Sequence, residues 1–160
     1  MKQDIQTEHL YQKIAELLQA ARQSVVRTIN HTMVHTYFEI GRMIVEDEQQ
    51  GKERADYGKQ VLKTLSQRLQ KNFGRGFSVD NLQNMRQFFL SYSIYETASR
   101  KFDLSWSHYL KLMRIDDEAE RQFYEIECFQ NNWSLRELRR QFDSALYQRL
   151  VLSRNKEKVK

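Results

Sequence analysis

Asn81, Gln83, Asn84, Arg86 and Gln87 crowd one short stretch of the chain. Asn and Gln can pair with an adenine edge and Arg with a guanine edge, so this set on one helix has the chemistry of base reading in a major groove. Lys63, Arg68, Lys71 and Arg75 lie just upstream, where a bracing helix would place phosphate contacts. A second basic edge, Arg136, Arg139 and Arg140, runs next to Gln141. The plain alternative for both sets is a capped helix with a solvated face, and Glu137 and Asp143 can pair with some of the second set.

Other chemistries find little support. His31 and His35 are four apart and could face one ion, but Glu39 is the one obvious third ligand and a zinc site needs three or four. The reading is no metal and no cofactor. There is no nucleophile elbow and no Walker loop, since the glycines at Gly74 and Gly76 do not follow that pattern. No Lys has Asp or Glu two positions before it, which removes the carboxylate–x–Lys triplet of metal-dependent nucleases. No catalytic residue is assigned, and the chain is not expected to be an enzyme.

The elements that must position these residues are helical. There are no prolines and five glycines, which favours long helices over a turn-rich β fold. Apolar residues recur from Leu10 through Val25 and Ile29 to Ile44, mostly three or four apart, after Thr7 as a possible cap. The weak point is Thr28–Thr36, where β-branched residues cluster, so this segment is either one long projecting helix or a hairpin. A polar loop follows at 49–57, then a helix from about Tyr57 to Lys71. After a turn at 72–77, longer than the usual three or four residues, Ser78 caps a helix to about Ile94 with Val79, Leu82, Met85 and Phe89 inward. A basic linker spans 97–103. Further helices start at Ser105, at Asp116 and at Ser134, where Glu137 completes a capping box. The last of these carries an apolar stripe from Leu135 to Leu150.

The chain carries 26 Lys and Arg against 21 Asp and Glu, a formal charge of +5 that permits nucleic-acid binding. The acidic residues of the first helix argue against a membrane surface, and no apolar run reaches spanning length. Cys128 stands alone among Phe123, Tyr124, Ile126 and Phe129 and reads as a buried hydrophobe. With no signal peptide at the start, the expected location is the cytoplasm.

Four phrases in order carry a family resemblance: LYQKIAELLQAARQSVVRTINHTMVHTYFEIGRMIVEDEQQG, YGKQVLKTLSQRLQKNFGRGFSVDNLQNMRQFF, LSWSHYLKLMRIDDEAERQFY and NNWSLRELRRQFDSALYQRL. They resemble the N-terminal helical domain of the YhcG-like family of candidate bacterial PD-(D/E)xK nucleases, over nearly the whole chain. That resemblance implies a helical domain that binds DNA ahead of a nuclease domain, and it carries no catalytic residue onto this sequence. The LSWSHYLKLMRIDD block is also similar to the helices after the helix–turn–helix of ParB-type partition proteins. By that likeness Ser78–Tyr92 is the groove-reading helix.

The expected fold is therefore all-α. Residues 1–50 form an amphipathic helix or hairpin, residues 51–153 a helix–turn–helix-bearing bundle, and 154–160 a charged tail leading to a C-terminal domain outside this sequence. The expected function is a DNA-binding module for a nuclease, with double-stranded DNA as partner. The alternative is a protein-interaction or homo-oligomerisation module built on residues 8–48. RNA binding is a third reading.

Overall fold

A computed structural model of the chain describes residues 2–50, 55–93 and 101–157. Among them, seven α-helices follow one another with no strand: α1 Lys2–Gln50, α2 Ala55–Phe73, α3 Val79–Tyr92, α4 Trp106–Leu112, α5 Glu118–Gln130, α6 Leu135–Asp143 and α7 Leu146–Glu157. The all-α expectation holds. The expected helix end at Ile94, residues 51–54 of the expected loop and 97–100 of the expected linker lie outside the described residues, while 49–50 and 55–57, expected as loop, belong to α1 and α2.

The long first segment is one helix of 49 residues, about 73 Å at 1.5 Å per residue. It starts upstream of Thr7, so Thr7 lies inside it and does not cap it. The Thr28–Thr36 stretch does not break it. Each hydroxyl of Thr28, Thr32 and Thr36 donates to the carbonyl four residues back, at 2.9, 2.9 and 2.8 Å, which satisfies these side chains within the helix. The helix has two environments. From Val34 onward it enters the core through Val34, Phe38, Ile44 and Val45. Before that it touches the bundle through Arg27, which donates to Asn132 at 2.9 Å and lies over the Phe129 ring, while Leu10, Tyr11, Ile14, Leu17, Leu18, Val25, Val26 and Ile29 stay exposed.

The buried half of α1 lies against α3, the most extensive helix contact among the described residues. Gly41 makes the approach possible: a Cβ there would overlap the carbonyl oxygen of Met85 and stand 3.1 Å from Cβ of Phe89. Two apolar clusters meet around this crossing. A smaller one joins Ile44, Leu62, Leu82 and Met85, with Tyr37, Ile40, Leu65, Leu69 and Phe77 around it. A larger one gathers Val34, Phe38, Phe88, Tyr92, Phe102, Tyr109, Leu112, Tyr124, Cys128 and Leu138. Trp106 packs against both. Phe88 is the hub, within 5.0–5.7 Å of the rings of Phe38, Tyr92, Phe102, Trp106 and Tyr109.

The second half of the molecule is held by short polar links. Ser105 caps α4, and His108 ties it to the α5–α6 turn, with Nε2 2.8 Å from the carbonyl of Trp133. A carbonyl only accepts, so Nε2 carries the proton and Nδ1 accepts from the Ser105 hydroxyl at 2.6 Å. The cap of α5 is Asp117, not the expected Asp116, because it is Asp117 that accepts from the backbone N–H of Glu120 at 2.7 Å. Asn132, at φ 50, closes α5, and the N–H of Trp133 reaches back to the carbonyl of Cys128 at 3.0 Å.

The expected single last helix is two. Ala145 takes φ 52, a conformation that costs a non-glycine residue about 1–3 kcal/mol. The break turns Leu146 and Tyr147 inward, where the Tyr147 N–H donates to the Tyr124 hydroxyl at 3.3 Å. Tyr124 itself is fully buried, and burial pushes its phenol above the usual range.

Candidate nucleic-acid interface

α2 and α3 are joined by Gly74–Ser78, and the turn is built from side chains as well as backbone. Gly74 sits at φ 93, a region open to glycine, and ends α2 by donating its N–H to the carbonyl of Gln70 at 3.0 Å. A 3-10 turn, Arg75–Phe77, follows. Ser66 is 1% exposed on α2 and donates its hydroxyl to the carbonyl of Phe77 at 2.8 Å, while Gln70 donates to Ser66. Ser78 caps α3 as expected, accepting from the N–H of Asn81 at 3.2 Å.

The five residues assigned to base reading do not share one fate. Asn81 is engaged at both ends of its amide: Nδ2 donates to the carbonyl of Gly76, and Oδ1 accepts from Nε1 of Trp106 at 3.0 Å. It locks the turn to α4 and is not free to meet a base. Arg86 donates from Nε to Glu48 at 2.7 Å and fastens α3 to the end of α1. Gln83 and Gln87 are exposed and Asn84 is half-buried; Gln87 donates to Ser91 at 3.1 Å. The open stripe of α3 is Asp80, Gln83, Gln87 and Leu90, with no cation on it. Leu82 and Met85 are buried as expected, but the next core positions fall to Phe88 and Tyr92 and not to Phe89, so the inward side leans away from Gln83.

The phosphate set fares differently. α2 packs on α3 and the turn with Leu62 and Ser66 buried, and its other face is open. Lys63, Arg68 and Lys71 are exposed around that open side and Arg75 on the turn. Lys59, a residue outside the expected site, is exposed too, on the flank opposite Arg68 at about 100° per residue. Among the described residues none of the five forms an ion pair. From Gly58 to Ser78 the chain has these five cations and no Asp or Glu. Set against 26 basic and 21 acidic residues overall, that one stretch holds the whole net charge of +5, and the rest of the chain is balanced. The helix pattern alone puts Lys59 away from the apolar side with Lys63, Arg68 and Lys71, and a window count of charge adds it to the phosphate set.

The α6 set is not brought to this face by any helix that α6 packs on, which are α4, α5 and α7. Arg136 and Arg139 are exposed. Arg140 is held by Glu137 in a two-pronged pair at 2.6 and 3.0 Å, which raises its pKa and lowers that of Glu137 below the usual carboxylate range. Ser134 caps α6 through the N–H of Glu137 at 3.1 Å. The expected capping box is half formed, because the Glu137 carboxylate turns to Arg140 and Gln141.

Cys128 is 1% exposed, and burial first, then Glu125 and Glu127, pushes its thiol up to about 12. Among the described residues no group of three His, Cys, Asp or Glu could hold a metal ion. No helix among them is long and apolar enough to cross a membrane.

Comparison with known proteins adds a family. The chain is 36% identical over 179 aligned positions to a protein of Escherichia coli (strain K12) named "Putative nuclease YhcG", a match covering 93% of this chain and 48% of that protein. The chain thus spans about half the length of the curated relative it matches. No solved structure gives a significant match. The profile of the DUF1016 N-terminal domain fits residues 13–149, and the chain belongs to that family, the N-terminal domain of YhcG-like proteins.

Proposed function

We propose that this domain is a non-catalytic DNA-binding module that grips the phosphate backbone of a duplex and brings a nuclease domain to it. The observation that carries the reading is the concentration of net charge on α2 and its turn, where Lys59, Lys63, Arg68, Lys71 and Arg75 are exposed. Cations without carboxylate neighbours attract a polyanion by releasing its counterions. The name of the Escherichia coli relative supports the nuclease half of the proposal.

The geometry of α3 shapes the kind of binding. With Asn81 and Arg86 engaged inside the protein, the side chains left for base edges are Gln83, Asn84 and Gln87. Contact is therefore mainly with phosphates, which position a protein without specifying sequence. Anisotropy of a labelled duplex, titrated at low salt, tests this. Binding that weakens steeply with salt and differs little among unrelated sequences supports it. No duplex binding, or binding confined to structured RNA, overturns it.

A second reading rests on a separate observation. The projecting half of α1 exposes large apolar side chains, as a protein-interaction module would.

A further inference from the structure

The projecting half of α1 is an amphipathic helix whose apolar face nothing in the described fold covers. An uncovered helix of this kind draws little stability from its own propensity, because most helical stability in proteins comes from packing an apolar face. The exposed residues are not scattered. Tyr11, Ile14, Leu18, Ala21, Val25 and Thr28 alternate three and four apart, the 3.5-residue period on which two long helices wind around each other. Leu10, Leu17 and Ile29 widen the stripe. At about 100° per residue, this stripe lies on the side of α1 opposite Val34, Phe38 and Val45, which face the bundle. The chain's own bundle therefore does not obstruct the approach of another helix.

We infer that a second copy of this chain covers the stripe, with the two α1 arms antiparallel. The side chains argue for that orientation. In an antiparallel pair centred between Gln19 and Ala20, Leu18 faces Ala21, Ile14 faces Val25 and Tyr11 faces Thr28, so every layer sets a larger residue against a smaller one. A parallel pair in register would stack Tyr11 on Tyr11 and Ala21 on Ala21, overfilling one layer and emptying another. The antiparallel arrangement also opposes the two helix dipoles and leaves the bundles at opposite ends. The area is of the right order. Taking about 100 Å² of apolar surface for a fully exposed side chain of this size, Leu10, Tyr11, Ile14, Leu17, Leu18, Val25 and Ile29 offer about 400 Å² per copy, and two copies bring about 800 Å², which Ala21, Thr28 and the flanking polar side chains raise toward the roughly 1,000 Å² of total surface that a specific interface must clear.

Sedimentation equilibrium of the chain tests the inference independently of any DNA. The expected result is a monomer–dimer equilibrium, and a strict monomer at about 100 µM overturns it. Leu18→Glu with Val25→Glu places charge in the centre of the seam and is expected to raise the dimer dissociation constant about 100-fold or more. Both residues are exposed, so the bundle folds in either case, and an unweakened dimer overturns the inference. Orientation is read by spin labels on Glu8→Cys, since the buried Cys128 thiol resists labelling. Antiparallel arms place the two labels about 35 Å apart, whereas about 10 Å would mean parallel arms and would overturn the arrangement.

Discussion

Removing three cations from α2 puts the proposed DNA grip to a quantitative test. In Lys63→Ala, Arg68→Ala, Lys71→Ala, every altered side chain is exposed and outside any ion pair among the described residues, so folding stability should shift by no more than about 0.5 kcal/mol per site. Each phosphate contact contributes about 0.9 to the slope of log affinity against log salt. Five contacts give a slope of about −4.5, so raising salt from about 50 to about 200 mM weakens binding roughly 500-fold. With Lys59 and Arg75 alone the slope falls to about −1.8 and the same change weakens binding only about 12-fold. The assay is fluorescence anisotropy of a labelled duplex at several salt concentrations, with thermal melting to confirm the fold. Arg136→Ala with Arg139→Ala is the control, because these arginines lie on α6 and should leave the slope unchanged. If the folded triple variant keeps the unaltered slope, or the α6 variant lowers it instead, the reasoning about α2 is wrong.

Gly41→Ala gains helix propensity of about 1 kcal/mol yet should destabilise the protein by about 1–3 kcal/mol net, because the new Cβ meets the backbone of Met85; urea unfolding measures it. Asn81→Ala should cost about 0.5–1.5 kcal/mol of stability, chiefly by taking the partner from the half-buried Trp106 indole, while the salt slope of DNA binding stays the same. A residue that reads bases would show the reverse pattern. Cys128 should be inert to Ellman's reagent in the native protein at neutral pH and react fully in denaturant, because burial holds its thiol near pKa 12.

Local signals in the chain were reliable where the physics is local. Ser78, Ser105 and Ser134 cap helices because a hydroxyl three residues before an N–H is a matter of spacing alone. Periodicity identified the apolar side of α3 but could not choose between adjacent Phe88 and Phe89, since that depends on the direction from which α1 arrives. Asn81 looked free because its partner, Trp106, is 25 positions away. The break at Ala145 carries no Gly or Pro, and its reason lies in the buried Tyr124, 23 positions from Tyr147. Gly41 carries no signal in the sequence, because a glycine inside a helix reveals a close crossing only once the second helix is in place. The candidate site shows the same division: exposed cations could be read from composition, and the engagement of Asn81 and Arg86 could not.

The crossing at Gly41 also makes α1 a lever. From Leu10 to Gly41 the rod measures about 46 Å, and from Gly41 to Gln50 about 14 Å, so the tip moves about three times as far as the short end. A tilt of about 10° at the crossing swings Leu10 by about 8 Å and Gln50 by little more than 2 Å. The short end is where Glu48 holds Arg86, next in sequence to the Met85 that Gly41 rides on. That ion pair ties down the short arm, and Arg27, about 21 Å out on the long arm, is tied to Asn132, so a load taken up at the tip is shared by a tie on each side of the crossing.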